Sequence, residues 1–475
     1  MAFHLPYPSR RLFYRAAKAI VVIWLLAGCE EKVTDSQNNN LPELVTWSEH
    51  IAPLVYRECT PCHRQGHAGP FSLMSYMDAS RRAQLLAAVT ESRFMPPWPA
   101  DINYSTFVGQ RHLSDHEIAL FKRWAEQNAP EGDPKNAPQP PVYPEGSTLG
   151  KPDFVVKLDR PVQIPGDNQE HFWIVKIPFE LPAATFLKAV EYVPGHRRIV
   201  HHMNGHLINY EKGKKTNVFG GIRHIDPSLI GYEEGYRRLD LPHDDGSYPA
   251  LTPSVMNYLP GMQPVVYPPG IGGWPIAEKG VFLLRDIHYA ASAVDTEDAA
   301  SLNLFFSHEA PSRPTQEIQL GTLGISEIVP ELVIAPNTVQ TFRTQATVTQ
   351  DISLLTLNPH MHLLGKSYWA YAITPKKDTI PLIRIPKWDF RWQYNYTFPK
   401  MLKLPAGSTV YVEGVFDNTA ANPNNPFNPP REVREPQGNM RTTDEMFQLI
   451  LTYLPYQPGD ENIRLDLPVL PHQPK

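Results

Sequence analysis

Two patterns of apolar and polar positions divide the chain. Between Tyr76 and Ser92, and again from Ser114 to Asn128, apolar residues recur at helical spacing on one face. Ser114 followed by Glu117 is a capping box, in which side chain and backbone satisfy each other's free groups at a helix start. Leu113, Ile118, Leu120, Phe121 and Trp124 mark the apolar side of that second helix. Beyond Pro152 the helical period disappears. Short alternating or β-branched runs replace it at Phe154 to Leu158, Phe172 to Phe179, Phe186 to Val193, Val281 to Ala290, Leu302 to Phe306, Ile352 to Leu357, Thr409 to Val415 and Phe447 to Leu454. Strands at this spacing, punctuated by Pro and Gly, predict β-sandwiches. Ala129 to Pro152 is rich in Pro, Gly, Asn and Glu without apolar periodicity, the composition of a semi-rigid linker. The expectation is a multidomain protein. A small all-α domain over residues 42–132 and a Pro-rich linker over 133–152 precede two all-β sandwich, jelly-roll-like domains, 153–312 and 313–475.

Composition agrees with that division. A chain of 475 residues exceeds one core at roughly 100 to 200 residues per domain. Fifty prolines, 42% hydrophobic and 20% charged residues describe a folded, loop-rich protein. A formal charge of -5, without a basic run carrying interleaved aromatics, argues against a nucleic-acid partner.

The chain begins with the pattern of an export signal. Arg10, Arg11, Arg15 and Lys18 precede an apolar run from Ala19 to Ala27, short for a membrane span and of signal-core length. Leu26-Ala27-Gly28-Cys29 resembles a bacterial lipobox. Residues 1–28 are therefore expected to be a lipoprotein signal peptide, Cys29 the lipidated first residue and residues 29–41 a polar tether. The implied location is the bacterial periplasm or cell envelope, with the acyl chains as membrane anchor. An uncleaved membrane anchor is the alternative, and Ser9-Arg10-Arg11-Leu12-Phe13 also resembles a twin-arginine signal.

Cys59-Thr60-Pro61-Cys62-His63 has the pattern of covalent c-type haem attachment, two thioethers to the porphyrin and an imidazole under the iron. A zinc half-site would need a second cysteine pair, and none exists. Met95, stiffened by Pro96 and Pro97, is favoured as distal ligand over Met74, Met77 and His67. The helical segment thus resembles cytochrome c modules that carry the same Met-Pro-Pro-Trp element.

Two histidine clusters occupy the β region. His201-His202 is followed by His288, and His360-Met361-His362 by Met446. A third ligand that is imidazole in one set and thioether in the other suggests two unlike copper sites, because thioether is soft and favours Cu(I). His360 and His362, two apart, project from one face of a strand. Adjacent His201 and His202 would point to opposite faces, so a local irregularity is expected there. Asp444 and Glu445 either help Met446 into place or form a turn.

Four elements resemble the type II copper monooxygenases, the family of peptidylglycine α-hydroxylating and dopamine β-monooxygenases. They are Val200-His201-His202-Met203, Leu284-Arg285-Asp286-Ile287-His288-Tyr289, His360-Met361-His362-Leu363-Leu364-Gly365-Lys366 and Asp444-Glu445-Met446. The resemblance implies two β-sandwiches facing each other across a solvent-filled cleft. It implies an electron-storing copper at His201, His202 and His288, and a catalytic, oxygen-activating copper at His360, His362 and Met446. The peptide hydroxylase's carboxylate clamp is replaced by Asn358, Gln448 and Ile450, so peptide amidation is not expected and the pocket should be neutral. The expected activity is hydroxylation of a C–H bond in a small organic substrate by dioxygen. Electrons would come from a periplasmic donor through the haem. The alternative is an anchored electron-transfer cytochrome whose β domains store copper or bind a partner, and a third possibility is a peroxide-releasing copper oxidase.

Overall fold

Period-two alternation is cleanest in the strand Thr409–Asp417, where Val410, Val412 and Phe416 are buried and the residues between them face outward. It pairs on one side with Val339–Thr347 and on the other with Gly365–Ile373, which carries Thr379–Ile385 at its far edge. Across a shared core lies a second antiparallel sheet in the order Gln316–Gly321, Phe447–Pro455, Ile352–Met361 and Tyr396–Leu404. Leu354, Leu357, Leu449 and Leu451 from this sheet meet Phe342, Ala370, Val412 and Phe416 from the other. The computed structural model describes residues 41–144, 146–307, 309–436 and 441–466, the side chain of Asp286 apart.

An earlier pair of sheets is built the same way. Its larger sheet runs His224–Ile225, His171–Glu180, Lys279–Tyr289, Val200–Tyr210 and Ser254–Tyr258; its smaller one runs Phe154–Lys157, Ser301–Ser307, Thr185–Val193 and Trp274–Ile276. Val281, Phe282, Leu283 and Leu284 are all buried, so alternation is lost in the central strand. The reason is cover on both faces. Phe282 and Leu284 join the core shared by the two sheets, whereas Val281 and Leu283 pack with Val218, Leu239 and Leu241 from the long connection outside it.

The expected small all-α cytochrome c-like domain, at the head of two sandwich domains, is overturned. The protein is mostly β, 34% strand and 12% helix in several sheets, with only five short helices among the described residues. Four of them, Ala52–Glu58, Tyr76–Ser80, Ala83–Glu91 and Asp115–Glu126, lie in the segment where that domain was expected. Leu86, Phe121 and Trp124 do share a local cluster there. The stretch between the last two helices, however, carries Pro96, Pro97 and Pro99, which cannot continue a helix, and runs as irregular chain. Its apolar side chains find cover elsewhere: Ala100 and Phe107 belong to the core of the later pair of sheets, and Trp98 packs on Tyr394 and Tyr396. Backbone bonds from Asp101 N–H to the Arg384 carbonyl at 2.7 Å and from Val108 N–H to that of Thr397 at 2.8 Å complete the junction. From Leu41 onward the described residues form one compact unit.

Candidate metal centres

His201 and His202 stand near the start of the strand Val200–Tyr210, and His288 near the end of its neighbour Lys279–Tyr289. The register pairs His202 with His288 and shifts on both sides of His202, between Val200 and His202 and between His202 and Asn204. This irregularity reconciles two adjacent histidines with one site. The His201 and His288 ring centroids are 4.7 Å apart and those of His202 and His288 5.1 Å. His202 and His288 are buried, and the Nδ1 atoms of all three histidines have no hydrogen-bond partner among the described residues. Buried polar atoms are normally paired, so these three orphans, on rings packed about His288, suit a site for a bound cation. Burial also lowers the His201 pKa to about 4 and that of His202 well below its usual value, with His288 adding to both. The His201 and His202 imidazoles are therefore neutral, each with a lone pair to offer a metal.

Glu170 joins this cluster and was not foreseen. Its carboxylate lies 3.4 Å from His288 Nε2, and Glu170, His201 and His288 bring ligand atoms within 4.8 Å of one another. A single glutamate just before a strand has no signal in sequence, because what distinguishes it is a partner more than a hundred residues away. Phe172 stacks on His288 with ring centroids 4.2 Å apart.

His360 and His362 close the strand Ile352–Met361 and the residue after it, with ring centroids 5.0 Å apart and perpendicular planes. The antiparallel partner sets His360 opposite Gln448 and Met361 opposite Phe447, so the next step along both chains faces His362 with Met446. Met446 and His362 are both buried. Here the Nδ1 atoms are occupied: His362 Nδ1 lies 2.9 Å from the Asp444 carbonyl oxygen and His360 Nδ1 2.6 Å from Gln393 Oε1. A carbonyl accepts only, so in each ring Nδ1 carries the proton and Nε2 the lone pair. Glu445 fixes the junction, accepting from His362 N–H at 2.9 Å and from Leu364 N–H at 2.6 Å. Burial pushes its carboxyl up to about 8 and that of the His362 imidazole down to about 3.

His202 from the first set and His360 and His362 from the second line a common cavity of about 240 Å³ together with Glu170, Phe172, Asn204, Asp226, Phe390, Gln393 and Arg441. Phe390 stands between them, its ring centroid 6.0 Å from His202 and 5.5 Å from His362. Gln393 Nε2 is also 3.4 Å from His202 Nε2. The sets thus meet through protein groups and not only across an open cleft. The lining includes both signs of charge, unlike the neutral pocket expected.

The Cys59 to His63 segment follows the helix Ala52–Glu58 directly. Both cysteines are free thiols, and burial raises Cys62 and pushes Cys59 up to about 12. His63 Nδ1 lies 3.2 Å from the Phe71 carbonyl oxygen, which leaves the Nε2 lone pair for an axial bond. Two unpaired thiols beside an imidazole so oriented fit covalent haem. Cys62 abuts Gly261, where φ is +77° and a Cβ would come within 2.5 Å of the sulfur. Arg111 bonds the Gly261 carbonyl. This loop follows the strand Ser254–Tyr258, whose Tyr258 pairs with Met203, the residue after His202. Met95 is half-buried behind the helix Ala83–Glu91, with its N–H on the Val89 carbonyl at 3.0 Å, and Tyr394 donates to the Pro97 carbonyl at 2.7 Å.

Residues 1–40, with Cys29 and the expected signal peptide, lie outside the described residues. Among the described residues no helix is long and apolar enough to cross a membrane. No protein-family model matches the chain, and comparison with curated proteins returns no match.

Proposed function

We propose that the protein is a copper-dependent monooxygenase, related to the type II copper monooxygenases, that hydroxylates a C–H bond of a small organic substrate. The observation that carries this reading is that His202 from one histidine set and His360 and His362 from the other face one cavity. His201, His202 and His288 would hold one copper through Nδ1, while His360 and His362 through Nε2, with the Met446 thioether, would hold the other. Cys59, Cys62 and His63 would hold a c-type haem, with Met95 as distal ligand. Bound there, these groups supply one-electron redox chemistry, and the softer His-His-Met set favours the reduced metal. The overall reaction places one oxygen atom of O2 in the C–H bond and releases the other as water, consuming two electrons and two protons. A periplasmic donor would provide the electrons, and a lipid at Cys29 would keep the protein at a membrane facing that donor. Phe172 and Phe390 give the cavity apolar walls beside both sets, and Glu445 holds the second set's strand ends together.

The first test is the copper-to-iron ratio of mature, copper-reconstituted and desalted protein, with two coppers per haem iron expected. A ratio near zero would overturn the reading. The second is Met446→Ala, which should keep haem iron and lose oxygen-dependent product, followed with isotopically labelled O2.

A further inference from the structure

Gln393 touches one histidine of each set. Its Oε1 is 2.6 Å from His360 Nδ1, its Nε2 is 3.4 Å from His202 Nε2, and the same Nε2 donates to the Phe390 carbonyl at 3.0 Å. The Phe390 contact decides which way the amide points, since a carbonyl cannot donate. Oε1 therefore accepts from His360, and the remaining N–H of Gln393 is directed at His202 Nε2. As an acceptor there, His202 must carry its own proton on Nδ1, the buried atom without a partner. A metal on His202 Nδ1 removes that orphan but moves the ring proton to Nε2, where it meets an N–H. One amide has a single acceptor end, and His360 already holds it.

We infer that Gln393 is a positioning residue coupling the two sets. It presents His360 Nε2 to the second site and releases His202 when the first site fills. The inference rests on the metal-binding reading above. Filling the first site turns His202 into a second N–H donor that competes with His360 for the one acceptor end of Gln393, so the second site then binds its ion less tightly. By linkage, filling the second site disfavours the first equally.

The test uses the full chain and Cu(I) competition against a chromophoric chelator, with His288→Ala to disable the first site. The second site should bind about three- to tenfold less tightly in the wild type with its first site loaded than in His288→Ala, the worth of one neutral hydrogen bond. Gln393→Met should abolish that difference and weaken the second site. Gln393→Glu, which keeps an acceptor for His360 but has no N–H, should restore second-site affinity without restoring the difference. Circular dichroism and thermal unfolding confirm the fold of each variant, and if the methionine variant misfolds the glutamate variant carries the test alone. Equal affinities in wild type and His288→Ala, or a difference that survives in Gln393→Met, would overturn the coupling while leaving the copper reading intact. A wild-type chain that binds no copper would overturn both.

Discussion

At the scale of single residues, the candidate ligands were legible and the groups around them were not. Histidine pairs and the Cys-x-x-Cys-His run are visible because they are local; Glu170, Gln393 and Phe390 act on partners far away in sequence. Glu445 shows the difference well. Beside Met446 it was equally consistent with a turn, yet its carboxylate takes the N–H groups of His362 and Leu364, each buried. Leaving a buried donor unpaired costs about 1–3 kcal/mol. Glu445→Ala should therefore lower the unfolding free energy by roughly 3 kcal/mol and weaken copper binding at the second site. Urea unfolding and metal titration of the same preparation check both, and Glu445→Gln, keeping one acceptor, should fall between.

Among elements, each of the eight β runs falls on a strand, because half-buried strands write their alternation into the sequence, although Ile352–Met361 runs on past Leu357. The apolar face from Tyr76 to Ser92 is instead two helices, interrupted where Arg82 leaves helical geometry at φ −121°, ψ 14°. The irregular segment between the strands Thr379–Ile385 and Tyr396–Leu404, which carries Phe390 and Gln393, has no period and no motif to announce it. Capping is the opposite case. Both halves of the Ser114 and Glu117 box are formed at the start of Asp115–Glu126. Ser114→Ala should cost about 1 kcal/mol of stability, measured by thermal unfolding.

For the whole molecule, the segment expected to fold alone is joined to the later sheets, and the join was illegible because its prolines signalled only where a helix stops. The two pairs of sheets are also pinned together. Arg313 accepts and donates backbone bonds with the loop at Gly270 and Gly272, and its guanidinium forks onto Asp460 at 2.7 Å through both nitrogens. The Arg313 guanidinium, with Ser353 and the Gln457 N–H, holds the Asp460 pKa at about 2. Such a carboxylate stabilises the fold above its unfolded value near 4, and the contribution fades as pH falls through 2. Asp460→Asn should thus lose about 2 kcal/mol at neutral pH, with the gap to the wild type closing between about pH 4 and pH 2 in urea titrations. The thiol of Cys59 has a consequence for how the protein comes to be made. Covalent chemistry at sulfur proceeds through the thiolate, and a thiol pushed up to about 12 is almost never ionised at neutral pH. Once the chain has closed around Cys59, then, it is a poor nucleophile, and any bond to that sulfur is best formed on a chain still open. On the proposed haem reading, cofactor delivery would come before folding, and protein that folds too early would be a dead end in its own biogenesis.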